Sequence, residues 1–126
     1  MEYEIIFYID DKGQSPVKEF LNELKDQAKH NKISRQLLEK MYFNISMLER
    51  LGTRAGLPYT KHIEDKIWEL RPKDYRILFF MWEENNIVLL SVFRKEKNKT
   101  PKREIIKAKN RMNDWIKHGH ERQKDL

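Results

Sequence analysis

The stretch from Asp65 to Pro101, DKIWELRPKDYRILFFMWEENNIVLLSVFRKEKNKTP, leaves this chain few folds. Three runs rich in β-branched and aromatic residues, Lys66 to Arg71, Tyr75 to Trp82 and Ile87 to Phe93, follow one another with only short polar breaks. Pro72-Lys73-Asp74 marks a turn between the first two. Glu83-Glu84-Asn85-Asn86 marks a hairpin between the second and third, with Asn suited to the positive φ of a tight connection. The stretch reads as three consecutive antiparallel strands. Strand side chains alternate faces, so Ile67, Glu69 and Arg71 share one face of the first strand, and Arg76, Leu78, Phe80 and Trp82 share one face of the second. Two guanidiniums therefore stand near one turn of an otherwise apolar sheet, and the third strand runs into Arg94, Lys95, Lys97 and Lys99.

The remaining elements are those that can cover such a sheet. Residues 3 to 9 alternate, with Tyr3, Ile5, Phe7 and Ile9 on one side, as a mostly buried strand does. Ser15-Pro16 predicts a helix start, with the Ser oxygen as cap and Pro at the first helical position, and Val17, Phe20, Leu21, Leu24 and Ala28 follow at helical spacing. Ser34 is the expected cap of a second helix carrying Leu37, Leu38, Met41, Ile45, Leu48 and Leu51, with Gly52 at its C-terminal cap. Gly52 to His62 reads as a loop that carries Arg54, Lys61 and His62 toward the first of the three strands. Thr100-Pro101 repeats the cap-plus-Pro device before a last helix with Ile105, Ala108, Met112, Trp115 and Ile116 on its apolar stripe. The expectation is a single α+β domain over residues 1–126, ordered β-α-α-β-β-β-α. A helical hairpin and a C-terminal helix pack on a mainly antiparallel four-stranded sheet, and the tail is flexible from about residue 118.

Charge points to a polyanionic partner. The formal net charge is +6, and between Arg94 and Arg111 nine Lys or Arg stand against two Glu, so the excess is local. With no cysteine, disulfide and thiolate chemistry are excluded. The first ten residues have neither the basic segment nor the apolar length of a signal peptide or membrane span, and the expected location is cytoplasmic. The four His are scattered without ligand spacing, so neither a metal nor a cofactor is expected.

The series Trp68-Glu69-Leu70-Arg71, Tyr75-Arg76-Ile77, Phe93-Arg94-Lys95 and Lys99-Thr100-Pro101, followed by a helix holding Ala108, resembles the HigB-type branch of the RelE/ParE toxin superfamily over about residues 60 to 112. Ser91 and Val92 depart from it, since many relatives carry His and Gly there. The resemblance implies a type II toxin that enters the ribosome and cleaves mRNA without a metal, by 2′-hydroxyl attack on the adjacent phosphate. It also implies a small helix-turn-helix antitoxin of HigA type as partner, in a hetero-oligomer with no membrane involved. The same fold also serves a non-enzymatic, gyrase-binding ParE-like inhibitor or an inactive RNA-binding module, because function lives in the site.

Under the nuclease expectation, Arg71 and Arg76 clamp the phosphate and stabilise the charge it gains. The competing reading pairs one of them with Glu69 as plain structure. Arg94 and Lys95 come next as phosphate contacts, followed by Lys97 and Lys99 along the RNA, with Tyr75 as a base contact. Arg cannot act as a base. That leaves Lys95 among its neighbouring cations, Glu69 on the strand face of Arg71, and His118 or His120 if the tail folds back onto the site.

Overall fold

The computed structural model describes residues 2–124. Strand β1 (Glu4–Phe7) precedes helices α1 (Pro16–Ala28) and α2 (Lys32–Leu51); then come β2 (Thr60–Glu64), β3 (Ile67–Leu70), β4 (Tyr75–Trp82) and β5 (Asn86–Arg94). Helix α3 (Lys102–Asp114) continues through a π-turn at Trp115–Gly119 into α4 (His120–Lys124). The five strands form one open sheet in the order β1-β5-β4-β3-β2. Only β1 and β5 are parallel; every other pair is antiparallel. The α+β class and the order of the expected elements hold. One strand is added: Thr60–Glu64, which begins within the expected loop, pairs with β3, so the sheet has five strands and not four.

The continuous apolar runs of β4 and β5 follow from burial on both faces. Ile77, Phe79, Ile87 and Leu89 pack under α1 and α2, and Leu78, Phe80, Val88 and Leu90 pack under α3 with Ala108, Met112 and Trp115. Alternation breaks once. Leu78 pairs with Ser91 and Phe79 with Leu89, leaving Leu90 extra. This bulge puts Leu90 and Ser91 toward the same helix, where one Arg111 nitrogen donates to the Leu90 carbonyl at 3.0 Å and to Ser91 Oγ at 2.8 Å. Burial holds the Arg111 guanidinium below its ordinary pKa.

Local chemistry differs from expectation at the caps and turns. Ser15 makes no capping bond, and Asn31 caps α2 by accepting from the Ser34 N–H at 3.0 Å, so that helix starts earlier than Ser34 implied. In the β4–β5 turn the positive φ falls on Glu83, at 56°, and not on an Asn. Gly52 is required twice over: its φ is +60°, and a Cβ there would stand 2.8 Å from the Tyr3 ring.

Residues 118–124, expected to be frayed, are helical and docked on the far end of the sheet. Trp115 is buried, and Gly119 fits against it because a Cβ would lie 2.8 Å from the indole. The His120 ring stacks on Trp82 with 5.7 Å between centroids. Arg122 donates two hydrogen bonds of 2.8 Å to Asp114, whose Oδ2 also accepts from the Tyr8 hydroxyl at 2.6 Å. The bonds from Arg122 hold the Asp114 carboxyl down at about 2, against desolvation. Burial, aided by Asp114, pushes the Tyr8 hydroxyl up to about 12.

A depressed carboxyl contributes stability above its unfolded pKa and loses it as pH falls through the folded value; a raised phenol contributes below its unfolded value and loses it on the alkaline side. Unfolding followed from pH 2 to 12 should therefore lose stability from near pH 4 to pH 2 and again above pH 10. Asp114→Asn should flatten the acid limb and lower neutral-pH stability by about 1 kcal/mol.

Candidate functional site

A buried carboxylate lies where β3, β4 and the basic loop meet. Glu69 is only 2% exposed and stands opposite Leu78 of β4 and Lys61 of β2, all on the α3 face. Two residues along the same strand direction, Arg71 donates to Glu69 Oε2 at 2.6 Å. Arg76 reaches this face as the cross-strand partner of Phe93, with Nε 3.7 Å from the same oxygen. The Arg76 nitrogen NH1 donates to the Lys73 and Tyr75 carbonyls at 2.9 and 2.7 Å. Burial, and after it the neighbouring Arg71, pull Arg76 below the ordinary guanidinium pKa, with Glu69 and Asp74 opposing.

The two arginines differ in freedom. The Arg76 side chain is 7% exposed and fixed at three points, whereas that of Arg71 is 26% exposed and held by Glu69. Both readings of the pair are thus present in one geometry: the arginines converge, and they converge on a carboxylate.

The loop after β5 closes over them. Its first turn is anchored by the Lys95 N–H donating to the Asp74 carbonyl at 2.7 Å. Near its end, Thr100 does not cap α3 but donates its hydroxyl to Glu69 Oε1 at 2.8 Å. Between these anchors Lys95, Lys97 and Lys99 are exposed and line a small cleft whose floor is Glu69 and Arg76. A buried carboxylate with partners on both oxygens, a set of ammonium groups above it and one half-free guanidinium make an arrangement suited to binding a phosphodiester.

Three expected members lie elsewhere. Arg94 pairs across the sheet with Tyr75, so both point to the opposite face, where Arg94 Nε donates to Asp74 at 2.9 Å and Tyr75 packs on Phe20 with 5.4 Å between rings. They line a separate groove of about 340 Å³ with α1 and α2. Strand parity separates Arg94 from Lys95, although the two are adjacent in sequence. His118 is exposed on the π-turn, past the far end of α3. The tail does fold back, but onto Trp82, which lies six residues and ~20 Å along β4 from Arg76. Neither His118 nor His120 can serve the Glu69 cluster. Ser91 is 1% exposed, and its Oγ accepts a hydrogen bond from Arg111.

Thr100 and Lys61 also stand at Glu69, where the sequence reads one as a helix cap and the other as part of a loop leading to the first strand. A Thr before Pro reads as a cap, and nothing local shows that its hydroxyl is used by a residue 31 positions away. Lys61 needed β2 to be seen as a strand. Its Thr-Lys-His-Ile run has β-forming residues at both ends, and that was the available signal.

The family model described as phage derived protein Gp49-like (DUF891) matches residues 19–113. That span holds Glu69, both arginines, Lys95 and the loop to Thr100, and it ends before the docked tail. A comparison with curated proteins found no match.

Removing the carboxylate would strand two close guanidiniums, one of them buried. Glu69→Ala should therefore lower unfolding free energy by roughly 3–5 kcal/mol in urea titration. Glu69→Gln, which keeps the shape and an acceptor, should lose less.

Proposed function

The chain belongs to the Gp49-like family, which lies among the RelE/HigB-like toxins, and we propose that it is the toxin of a type II toxin–antitoxin pair that cleaves mRNA on the ribosome. The observation that carries this reading is the convergence of Arg71 and Arg76 under the Lys95–Thr100 loop. The 2′-hydroxyl oxygen attacks the neighbouring phosphorus as its proton passes to a base. The O2′–P bond forms while the P–O5′ bond breaks, and the departing oxygen takes up a proton, leaving a 2′,3′-cyclic phosphate and a 5′-hydroxyl end. Charge accumulates on the nonbridging oxygens, so donors aimed there lower the barrier.

Arg71 is the guanidinium that reaches the phosphate, since its side chain is partly exposed and held by one carboxylate. Arg76 contributes its buried charge from a fixed position. Lys95 and Glu69 are the cleft groups that can carry a proton, and Lys97 and Lys99 hold the flanking backbone. The charged face of α3 suits ribosomal RNA, where phosphates reward positive charge whatever the sequence. A small helix-turn-helix antitoxin of HigA type would complete a hetero-oligomer in the cytoplasm. No described helix is long and apolar enough to cross a membrane.

A second reading has one observation in its favour. Glu69 already occupies both arginines, as a purely structural network would, and a non-enzymatic ParE-like inhibitor needs no free cation. Expression of wild type and Arg71→Ala, with mRNA 5′ ends mapped in cells and in a purified translation system with and without ribosomes, separates the two. The nuclease reading expects new ends inside translated frames that require ribosomes and fall about a hundredfold or more in a folded Arg71→Ala variant. Growth arrest without new ends transfers the assignment to the inhibitor.

A further inference from the structure

On the β2 side of the Glu69 cluster lies a second cleft, of about 360 Å³, between β2 and the Asn98–Thr100 segment. Lys61 stands in register opposite Glu69, so cross-strand geometry turns it to the α3 face beside that carboxylate. Ile63 lies two residues on in β2 and shares this face, Lys99 forms the opposite wall, and Ile105 closes the side from the start of α3.

The charge balance of this cleft is one-sided. Of its two carboxylates, Glu64 pairs with Lys109, and Glu69 is taken by Arg71 and Thr100. Lys61 and Lys99 are both exposed, and among the described residues neither has a carboxylate within ion-pair distance. Two uncompensated ammonium groups beside apolar surface from Ile63 and Ile105 suit a phosphate attached to a sugar or base better than they suit a free anion. The volume accommodates one nucleotide.

This cleft and the Arg76–Lys95 cleft share Glu69, Asn98, Lys99 and Thr100 as lining. The 2.8 Å bond from Thr100 to Glu69 therefore stands as a partition between two halves of one trough, with Lys61 at one end and Lys95 at the other. We infer that the β2 half is a second phosphate subsite, which holds the phosphodiester of a nucleotide adjoining the one at Arg71. Calling that ligand RNA rests on the ribonuclease reading; the phosphate chemistry does not.

The test is a binding measurement that needs no cleavage. A 2′-deoxy dinucleotide, which lacks the attacking hydroxyl, is titrated in three forms: unphosphorylated, 5′-phosphorylated and 3′-phosphorylated. Affinity is read by calorimetry, and location by backbone and side-chain NMR shifts. One of the two terminal phosphates should tighten binding about tenfold, with shifts at Lys61, Ile63 and Asn98. The gain should disappear in Lys61→Ala/Lys99→Ala and return in Lys61→Arg/Lys99→Arg. It should persist in Arg71→Ala, at lower overall affinity. The inference is overturned if neither terminal phosphate improves binding, or if the gain survives loss of both lysines. A chain that cleaves no RNA yet keeps the lysine-dependent phosphate gain would sink the nuclease reading and leave the subsite standing.

Discussion

The Glu69 carboxylate is the constraint on which the rest of the site depends. A carboxyl at 2% exposure is tolerated only with partners on both oxygens, and this one takes them from three places: the end of β3, the start of β4 and Thr100, two residues before α3. These points are distant in sequence, so satisfying one buried charge fixes the turn between β3 and β4, the position of the lysine loop and the entry of α3. The same network that binds these elements together also places the cations. Stability and site geometry are one set of contacts here, and a change that loosens one loosens the other.

Register decides which cations join that network. β4 and β5 pair Arg76 with Phe93 and Tyr75 with Arg94, so neighbouring residues alternate between a face covered by α3 and a face covered by α1 and α2. The bulge at Leu90 and Ser91 resets that alternation partway along β5, and Arg111 holds it by bonding both residues. Without the extra residue, Phe93 and Arg94 would exchange faces. The basic run after β5 is thus divided by geometry: Lys95 turns into the Glu69 cleft, and Arg94 stays with Asp74 over the other groove.

Period-2 alternation made β3, β4 and β5, their faces and the closeness of Glu69, Arg71 and Arg76 legible in the sequence, because apolar burial on both sides leaves little freedom of register. What stayed hidden was decided over long range. β2 is a short edge strand with only its first residue buried, so no hydrophobic pattern announced it. Ser15 and Thr100 look alike before Pro16 and Pro101, yet neither caps, and Thr100 serves a carboxylate that the fold brings to it. The tail carried no helical stripe, and it is held by Trp115, Asp114 and Trp82, whose proximity only the folded chain creates. Arg94 adjoins Lys95 in sequence, but parity turns it to the other face, and the tail folds back onto Trp82, ~20 Å of strand from Arg76.

The inequality between the two arginines follows from the backbone. Arg76 gives hydrogen bonds to the Lys73 and Tyr75 carbonyls, which belong to the β3–β4 turn, where Lys73 has a φ of 52° and is held by its neighbours. Pulling Arg76 away would leave those carbonyls unpaired and a buried guanidinium without acceptors, a cost that no single phosphate contact repays. Arg71 carries no such obligation. Its link is to Glu69, which retains Thr100 and Arg76 when Arg71 leaves. Under the proposed nuclease reading, a phosphodiester arriving over the loop takes Arg71 in exchange for one charged hydrogen bond of the same kind, while Arg76 keeps its buried charge in a fixed position. Of the two guanidiniums, the partly exposed one is the freer to exchange partners, and the buried one is held in place.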